Sequence, residues 1–401
     1  MEREVLKTAF AAWQDGHALP QAFYNDEAIY RQDLDAVWGR HWVWVGHESQ
    51  LAHNGAFLRF DIDTESVIVV RGTDGALRAF ANVCPHRGSR VCLEGAGTAR
   101  GFTCPYHAWR FGLDGQLLSD RAMPDGFDRG DYGLQTLALA VYQGMVFVSL
   151  ADDPPPFEQA VVPLEALTEP FGLSALRVAH EAVYPVEANW KLALENYLEC
   201  YHCAPSHRDY ARSHSLKDPD AVAALTAPLA ARSAAAGLPT AEHSACGASA
   251  LHPSLSTYYR RYPLFDGFDT GSESGQPLAP LLGKLAGFDG GATDLQIGVL
   301  NNFLLYSDHV VGYRFIPTGP HSTDIHTVWL VHEGAEPGQD YDLDALTWLW
   351  HRTTLDDERI IRHNQEGVNS RYYRPGPLSE MEWGIQDFHH GYFCDLALVT
   401  P

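Results

Sequence analysis

The chain has 401 residues, 45% of them hydrophobic and 11% aromatic, with 28 Lys and Arg against 51 Asp and Glu for a formal net charge of −23. Disorder, collagen and coiled coil are excluded by that composition, and at roughly 100–200 residues per domain the length allows two or three domains with real cores. The negative charge opposes a phosphate backbone and no Lys/Arg cluster overrides it locally, so nucleic acid is not an expected partner, whereas a cationic substrate is compatible.

The opening MEREVLK lacks a basic region followed by an apolar stretch. The best apolar run, Leu134 to Ala151, is interrupted by Gln143 and Gly144 and falls short of the ~20 residues a spanning helix needs. Neither an export signal nor a membrane span is expected. There are seven cysteines, an odd number, and two stand beside histidines (Cys84 with His86, Cys104 with His107). This favours metal ligation in a reducing compartment over disulfides, and the cytoplasm as location.

Residues 20–39 predict a helix capped at Asn25 or Asp26, with Ile29, Leu34, Val37 and Trp38 as its apolar positions. From Trp42 the period changes. Ala56–Ile62, Ser66–Val70 and Leu77–Val83 are short, rich in Val, Ile and Phe, and divided by Gly or Asp-Gly turns, as in a compact antiparallel β domain. The run ADDPPPF at 151–157 is a linker. Beyond it come a strand over Ala179–Val186, a helix over about Trp190–Cys203, strands around Leu295–Tyr306, His309–Pro317 and Thr323–His332, and a long helix from Leu343 to about Asn369. Strands then helices without βαβ alternation read as α+β. Residues 215–290 are rich in Ala, Gly and Pro with little periodicity, which predicts a lid or mobile linker.

Two constellations carry chemistry. The first is CPHRGSRVCLEGAGTARGFTCPYHAW, where Cys84, His86, Cys104 and His107 stand as CxH, 17 residues, CxxH. Two thiolates and two imidazoles in paired turns make a four-ligand metal site, and the same donors also serve a structural zinc. The second is NWKLALENYLECYHCAPSH, residues 189–207, with Glu195, Glu199, His202 and His207 as candidate ligands. On a continuous helix 195, 199 and 202 share a face, while His207 lies about 140° from His202. Pro205 is expected to break the helix and turn His207 back. Two imidazoles and a carboxylate with open positions form the facial triad of non-haem Fe(II) oxygenases; a helix with solvated carboxylates and two ordinary histidines is the alternative.

The CPHRG and CPYHAW loops resemble the ligand loops of Rieske [2Fe–2S] proteins, in which two Cys hold one iron and two His the other. Followed about 90 residues later by NWK…EN…ECYH…H, they resemble the α subunits of Rieske non-haem iron oxygenases over essentially the whole chain. The resemblance implies an N-terminal helical segment at 1–39 packing on the catalytic domain and an all-β Rieske domain at 40–155. It implies also a helix-grip α+β catalytic domain with an antiparallel sheet at 156–401, including the variable 215–290. By the same resemblance Cys84 and Cys104 hold one cluster iron and His86 and His107 the other, and His202 and His207 hold a mononuclear iron. Asp357, on the segment TLDDERIIRHNQEG, is its third ligand, with Asp356 as fallback. Cys92 fits neither loop. Glu199 matches the carboxylate that links an iron histidine to a cluster histidine of the neighbouring subunit. That position is usually Asp in ring-hydroxylating members, and Glu moves the chain toward the branch acting on choline, glycine betaine and proline betaine.

No GxGxxG follows a strand, so electrons derived from NADH are expected through a partner, a flavin-dependent reductase or a ferredoxin fed by one, with O2 as co-substrate. A homotrimer or a multiple of it is implied, because adjacent subunits supply cluster and iron to one active site. A trimethylammonium head calls for an aromatic cage, for which Phe303, Tyr306, Trp383, Phe388 and Tyr392 are candidates. The expected activity is hydroxylation or N-demethylation of a small quaternary ammonium compound. Its rivals are hydroxylation of an aromatic ring or other apolar molecule, and a zinc-binding or electron-carrying protein without oxygenase activity.

Overall fold

The structure, a computed structural model, describes residues 2–214, 219–246 and 252–399. The chain divides into two compact units, one of Trp42–Pro154 and one that joins Met1–His41 to Pro155–Pro401. The division falls inside the 151–157 segment, where consecutive prolines without amide donors leave no regular element until Glu158.

The unit of Trp42–Pro154 is all β. Its strands are β1 (Trp42–His47), β2 (Ala56–Ile62), β3 (Glu65–Arg71), β4 (Leu77–Ala81), β5 (Ala96–Thr98), β6 (Phe102–Thr103), β7 (Arg110–Phe111), β8 (Leu117–Ser119), β9 (Thr136–Tyr142) and β10 (Met145–Ser149). Seven of them form one antiparallel sheet in the order β1-β10-β9-β4-β3-β2-β5, and β6-β7-β8 form a second. The long apolar run at 134–151 is therefore a hairpin. Gln143 and Gly144, with φ of 45° and 84°, make the two-residue turn whose twist suits antiparallel strands. Phe57, Ile68, Phe80, Phe102, Trp109 and Phe111 pack around Cys84 and Cys104 in one buried cluster.

In the other unit a seven-stranded antiparallel sheet runs β11-β17-β16-β15-β14-β13-β12, built from β11 (Leu176–Val186), β12 (His243–Ala245), β13 (Thr257–Pro263), β14 (Gly291–Ile297), β15 (Asn302–Leu305), β16 (His309–Gly319) and β17 (Ser322–His332). Its main helices are α1 (Trp190–Tyr197), α2 (Cys203–Ser206), α3 (Pro219–Ala236), α4 (Leu343–Val368) and α5 (Trp383–Asp395). α4 packs on β11 and β17, and α1 lies against α4, β16 and β17. Leu346, Leu349, Trp350, Thr353, Ile361, Gln365 and Val368 recur at three- and four-residue steps and give α4 its buried stripe.

Three expectations are corrected. The helix over Trp190–Cys203 stops at Tyr197, and residues 198–202 form a turn before α2. The strand over Leu295–Tyr306 is two strands, β14 and β15, joined by a tight turn at 298–301. The 215–290 region, expected as a lid or mobile linker, contributes α3, the edge strand β12 and its neighbour β13 to the fold, whose short elements and small residues gave no long period to read. Residues 215–218 and 247–251 of that region lie outside the described residues.

The 20–39 helix resolves into short segments. Asp26 caps the main one, Glu27–Asp33, accepting from Ala28 N at 2.8 Å and Ile29 N at 3.2 Å, and the chain continues as a π-helical turn over Leu34–Trp38. Asp33 is fully buried and pairs with the equally buried Lys191 Nζ, while Tyr392 Oη donates to it at 2.5 Å and Trp190 Nε1 at 3.2 Å. Burial pushes the Asp33 carboxyl up and the Lys191 amine down, and their mutual attraction opposes both. The NWK triplet thus anchors the N-terminal segment to α1 and α5. Among the described residues no helix is long and apolar enough to cross a membrane.

Candidate iron and cluster sites

Cys84, His86, Cys104 and His107 lie on two loops with the same hydrogen-bond scheme. Cys84 N donates to Ser89 O at 2.8 Å and Gly88 N to Cys84 O at 2.9 Å; Cys104 N donates to Trp109 O at 2.8 Å and Ala108 N to Cys104 O at 3.0 Å. Each loop closes on a left-handed residue four positions after its cysteine, Gly88 at φ 76° and Ala108 at φ 60°. The paired turns bury both thiols near enough that each acts on the other's ionisation. They set the two half-buried imidazoles face to edge, 4.6 Å between centroids. His86 stacks on Trp109 at 4.8 Å, and His107 Nδ1 is buried without a hydrogen-bond partner. Thiols on the inside, imidazoles toward solvent and an orphaned ring nitrogen fit a cluster held by two Cys and two His.

One supporting residue has no motif to announce it. Asn82 is fully buried; its Oδ1 accepts from Val91 N at 2.9 Å and Cys92 N at 2.8 Å, and its Nδ2 donates to Cys92 O at 2.7 Å and Ser66 Oγ at 3.0 Å. It pins the far end of the CPHRG loop to the sheet. Cys92 itself is a free buried thiol facing Glu94 O.

In the other unit His202, His207 and Asp357 each turn one ligand atom into a space where all three lie within 4.8 Å of one another. His202 Nε2 is 3.1 Å from His207 Nε2 and 3.3 Å from Asp357 Oδ1, which is 3.0 Å from His207 Nε2. Glu199 and His202 do not share a helix face with Glu195, because the chain leaves the helix after Tyr197. His202 and His207 instead flank α2, one at each end, and a single short turn directs both inward. Pro205 lies inside that turn, where its fixed φ is tolerated. Asp357 comes from α4, on the face that also carries Trp350 and Thr353. Asp356 is 3.6 Å from the other side of the His207 ring, at Nδ1, and more exposed.

Glu195 and Glu199 separate. Glu195 points away from the triad, accepting from Tyr24 Oη at 2.9 Å and meeting His389 Nε2 at 2.9 Å. Glu199 turns back onto the loop: Oε1 is 2.5 Å from His202 Nδ1 and Oε2 accepts from His202 N at 3.2 Å and from Tyr201 N. A carboxylate only accepts, so Nδ1 carries the proton and Nε2 offers its lone pair to the space shared with His207 and Asp357. Three such atoms converging, with Asp357 Oδ1 buried and lacking an aligned donor, fit a divalent metal with positions left open. Gln365 seats the opposite end of this assembly, accepting from Asn189 N at 2.8 Å and donating to Asn25 Oδ1 at 2.9 Å.

Cys200 and Cys203, either side of His202, form a disulfide with Cα atoms 4.9 Å apart. This departs from the expectation of ligation over disulfides: the turn at 198–202 brings the pair within bridging range.

The triad opens on a cavity of about 960 Å³. Its sheet wall is formed by Tyr258, Arg260 and Tyr262 from β13, Asp294 and Gln296 from β14, and Asn302 and Leu304 from β15, alternate residues of each strand, with Arg261, Pro263 and Leu295 also touching it. Tyr197, Tyr210, His214 and Trp350 close the other side. Of the five aromatic candidates, Trp383, Phe388 and Tyr392 line this cavity. Phe303 and Tyr306 do not: Phe303 lies on the opposite face of β15 from Asn302 and Leu304, and Tyr306 is fully buried, its hydroxyl 2.7 Å from His214 Nε2. His214, held neutral by burial with a pKa lowered to about 3, is spent on that contact and on Ser213.

Residues 41–142 match the Rieske [2Fe-2S] domain, and residues 173–268 and 301–393 match the catalytic domain of the ring hydroxylating alpha subunit. The chain belongs to the Rieske non-haem iron oxygenases and is an oxidoreductase of that family, with a [2Fe–2S] cluster and a mononuclear iron. It is 36% identical over 386 residues to the glycine betaine monooxygenase oxygenase subunit of Chromohalobacter salexigens, covering 94% of this chain and 85% of the relative. To the carnitine monooxygenase oxygenase subunit of Escherichia coli it is 38% identical over 209 residues, 50% of this chain and 54% of the relative. Among solved structures it is similar to the quaternary ammonium Rieske monooxygenase CntA, at 25% identity and a TM-score of 0.73 over 94% of each chain. A match to both domains sets aside the structural-zinc and simple electron-carrier alternatives.

Proposed function

We propose that this chain is the oxygenase component of a system that hydroxylates an N-methyl carbon of a small betaine, glycine betaine above all. His202, His207 and Asp357 hold the mononuclear iron, and Cys84, His86, Cys104 and His107 the cluster. When bound, the iron supplies O2 activation and the cluster delivers electrons one at a time. With O2, two electrons and two protons, one methyl C–H becomes C–OH and one water forms. The resulting N-hydroxymethyl group loses formaldehyde, and the nitrogen keeps the electron pair of the broken bond, so a trimethylammonium leaves as a dimethylamine and a proton.

The observation that carries this reading is the position of the triad at the wall of a tyrosine-rich cavity, in a chain 36% identical to a glycine betaine monooxygenase subunit. The residues divide the work. Glu199 fixes the His202 ring, the α2 turn aims both imidazoles, and the aromatic wall excludes water and packs against methyl groups. Glu199 further serves as the link to the neighbouring subunit's cluster in a homotrimer, with a reductase, or a ferredoxin fed by NADH, as electron donor in the cytoplasm. The domain limits 1–39, 40–155 and 156–401 are retained in this reading.

The test is turnover of purified holoenzyme with a supplied reductase, scored by formaldehyde. Glycine betaine giving formaldehyde in step with NADH consumption is the expected result; hydroxylation of aromatic acids with no formaldehyde from any betaine overturns it. A Glu199→Ala enzyme with both metals loaded and unaltered single-turnover electron transfer contradicts the relay role.

A further inference from the structure

Asp294 is the one acidic side chain on the sheet wall of the cavity, and among the described residues it makes no hydrogen bond or ion pair. A carboxylate set in an aromatic wall without a donor is costly unless something arrives to meet it. Its surroundings state what that is. Tyr258 and Tyr262 flank its cross-strand position on β13, Tyr197 faces it from α1 and Tyr210 from the turn after α2, all within the same cavity. Each of these phenols is pushed above its ordinary value, by burial first and then by the field of Asp294, so all are neutral rings at physiological pH. An anion among π-faces is an environment for a cation that cannot donate a hydrogen bond. Tyr210 ties this spot to the triad, since its ring is 6.1 Å from that of His207 and its phenol feels both Asp294 and Asp357.

Directly opposite Asp294 in the β13–β14 register stands Arg260, also lining the cavity. Cross-strand neighbours place their Cβ atoms about 4.5–5.5 Å apart, so an anion and a cation stand side by side on one wall, the complement of a ligand that carries both an ammonium and a carboxylate. Arg260 pairs with Glu242 at 3.2 Å, but both side chains are more than half exposed, so that contact is cheap to exchange for a ligand carboxylate.

We propose that Asp294, within the ring of Tyr197, Tyr210, Tyr258 and Tyr262, is the subsite for a quaternary ammonium head, and that its cross-strand partner Arg260 is the subsite for the ligand's carboxylate. The proposal deepens the betaine reading above and rests on it. It makes Asp294 a specificity-determining residue: the head is recognised by charge as well as by ring faces. It also brings a pH signature. Burial raises the Asp294 carboxyl to about 7 and Arg260 pulls it back only in part. The other groups facing it are the four tyrosines and Tyr306, all neutral, and Arg260, charged throughout. A cation binds the ionised form, so betaine affinity is full above pH 7 and weakens as pH falls below it, by up to about tenfold per unit.

The experiment is calorimetric binding to metal-loaded holoenzyme between pH 5.5 and 8.5, set by the carboxyl it titrates. Three probes are used: glycine betaine, its uncharged-head isostere 3,3-dimethylbutanoate, and choline, which lacks the carboxylate. Wild-type enzyme is expected to prefer betaine to the isostere and to lose that preference below pH 7. Asp294→Asn is expected to weaken betaine and choline about tenfold or more, spare the isostere and flatten the pH profile. Arg260→Met is expected to weaken the two carboxylates and spare choline. Equal wild-type affinity for betaine and isostere, a pH-independent preference, or betaine binding that survives Asp294→Asn overturns the subsite and leaves the betaine reading standing. Wild-type enzyme that binds no quaternary amine at any pH overturns that reading and the subsite with it. The wild-type profile needs no variant to fold.

Discussion

Exchanging Glu199 for Gln keeps the length of the side chain and removes its charge. In the structure one carboxylate serves three donors, His202 Nδ1 at 2.5 Å through Oε1, and His202 N at 3.2 Å together with Tyr201 N through Oε2. A carboxamide has one acceptor oxygen and one NH2, so either the imidazole or the two backbone amides confront a donor. If the imidazole loses its acceptor, nothing holds the proton on Nδ1, and the tautomer with the proton on Nε2 blocks the metal. A hydrogen bond to a charged group contributes about 1.5–3 kcal/mol, and loss of such an outer partner costs about 10–100-fold in metal affinity, or about 1.4–2.8 kcal/mol. The two figures agree. The assay is competition of apo-protein against an Fe(II) chelator at pH 7, with the visible spectrum of the cluster as internal control, because the loops at 84–107 are untouched. Mononuclear iron bound about 10–100-fold more weakly with the cluster intact is the expected result; affinity within about threefold of wild type refutes the orienting role.

Asp357→Ala is expected to abolish mononuclear iron while Asp356→Ala retains it, measured as iron per chain beyond the cluster, because only Asp357 reaches the space between the two Nε2 atoms. Asn82→Ala strands the Val91 and Cys92 amides, at about 1–3 kcal/mol each; a lowered melting temperature with early loss of cluster absorbance checks it, and an unchanged cluster lifetime refutes it. At Glu181 burial favours the neutral acid, but Arg314 and His326 outweigh it and hold the carboxyl at about 2. Its contribution is therefore complete above the unfolded-state value of about 4.3 and is lost as pH falls toward 2. Denaturant titrations across that interval should show a shallower decline for Glu181→Gln than for wild type.

What the sequence determined is chemistry with local spacing. CxH and CxxH fix their donors within single turns, and the Cys84 and Cys104 loops repeat one hydrogen-bond scheme because each needs only six residues and a left-handed closure. The α4 helix was legible to within a residue of its end, at about Asn369 against Val368, and the linker from prolines that cannot donate. The His202–His207 pair was legible as a motif but not as geometry, since a helix inferred to Cys203 ends at Tyr197, where turn and cap contacts outcompete continuation. Only the tertiary structure decided the rest. It turned Glu195 outward to Tyr24 and Glu199 inward to His202, and chose Asp357 over its neighbour. It sent Phe303 to the far face of its strand and set Asp294 across from Arg260. Those outcomes depend on register and on which face of an element meets which neighbour, and neighbours distant in sequence leave no period in it for a reader to find.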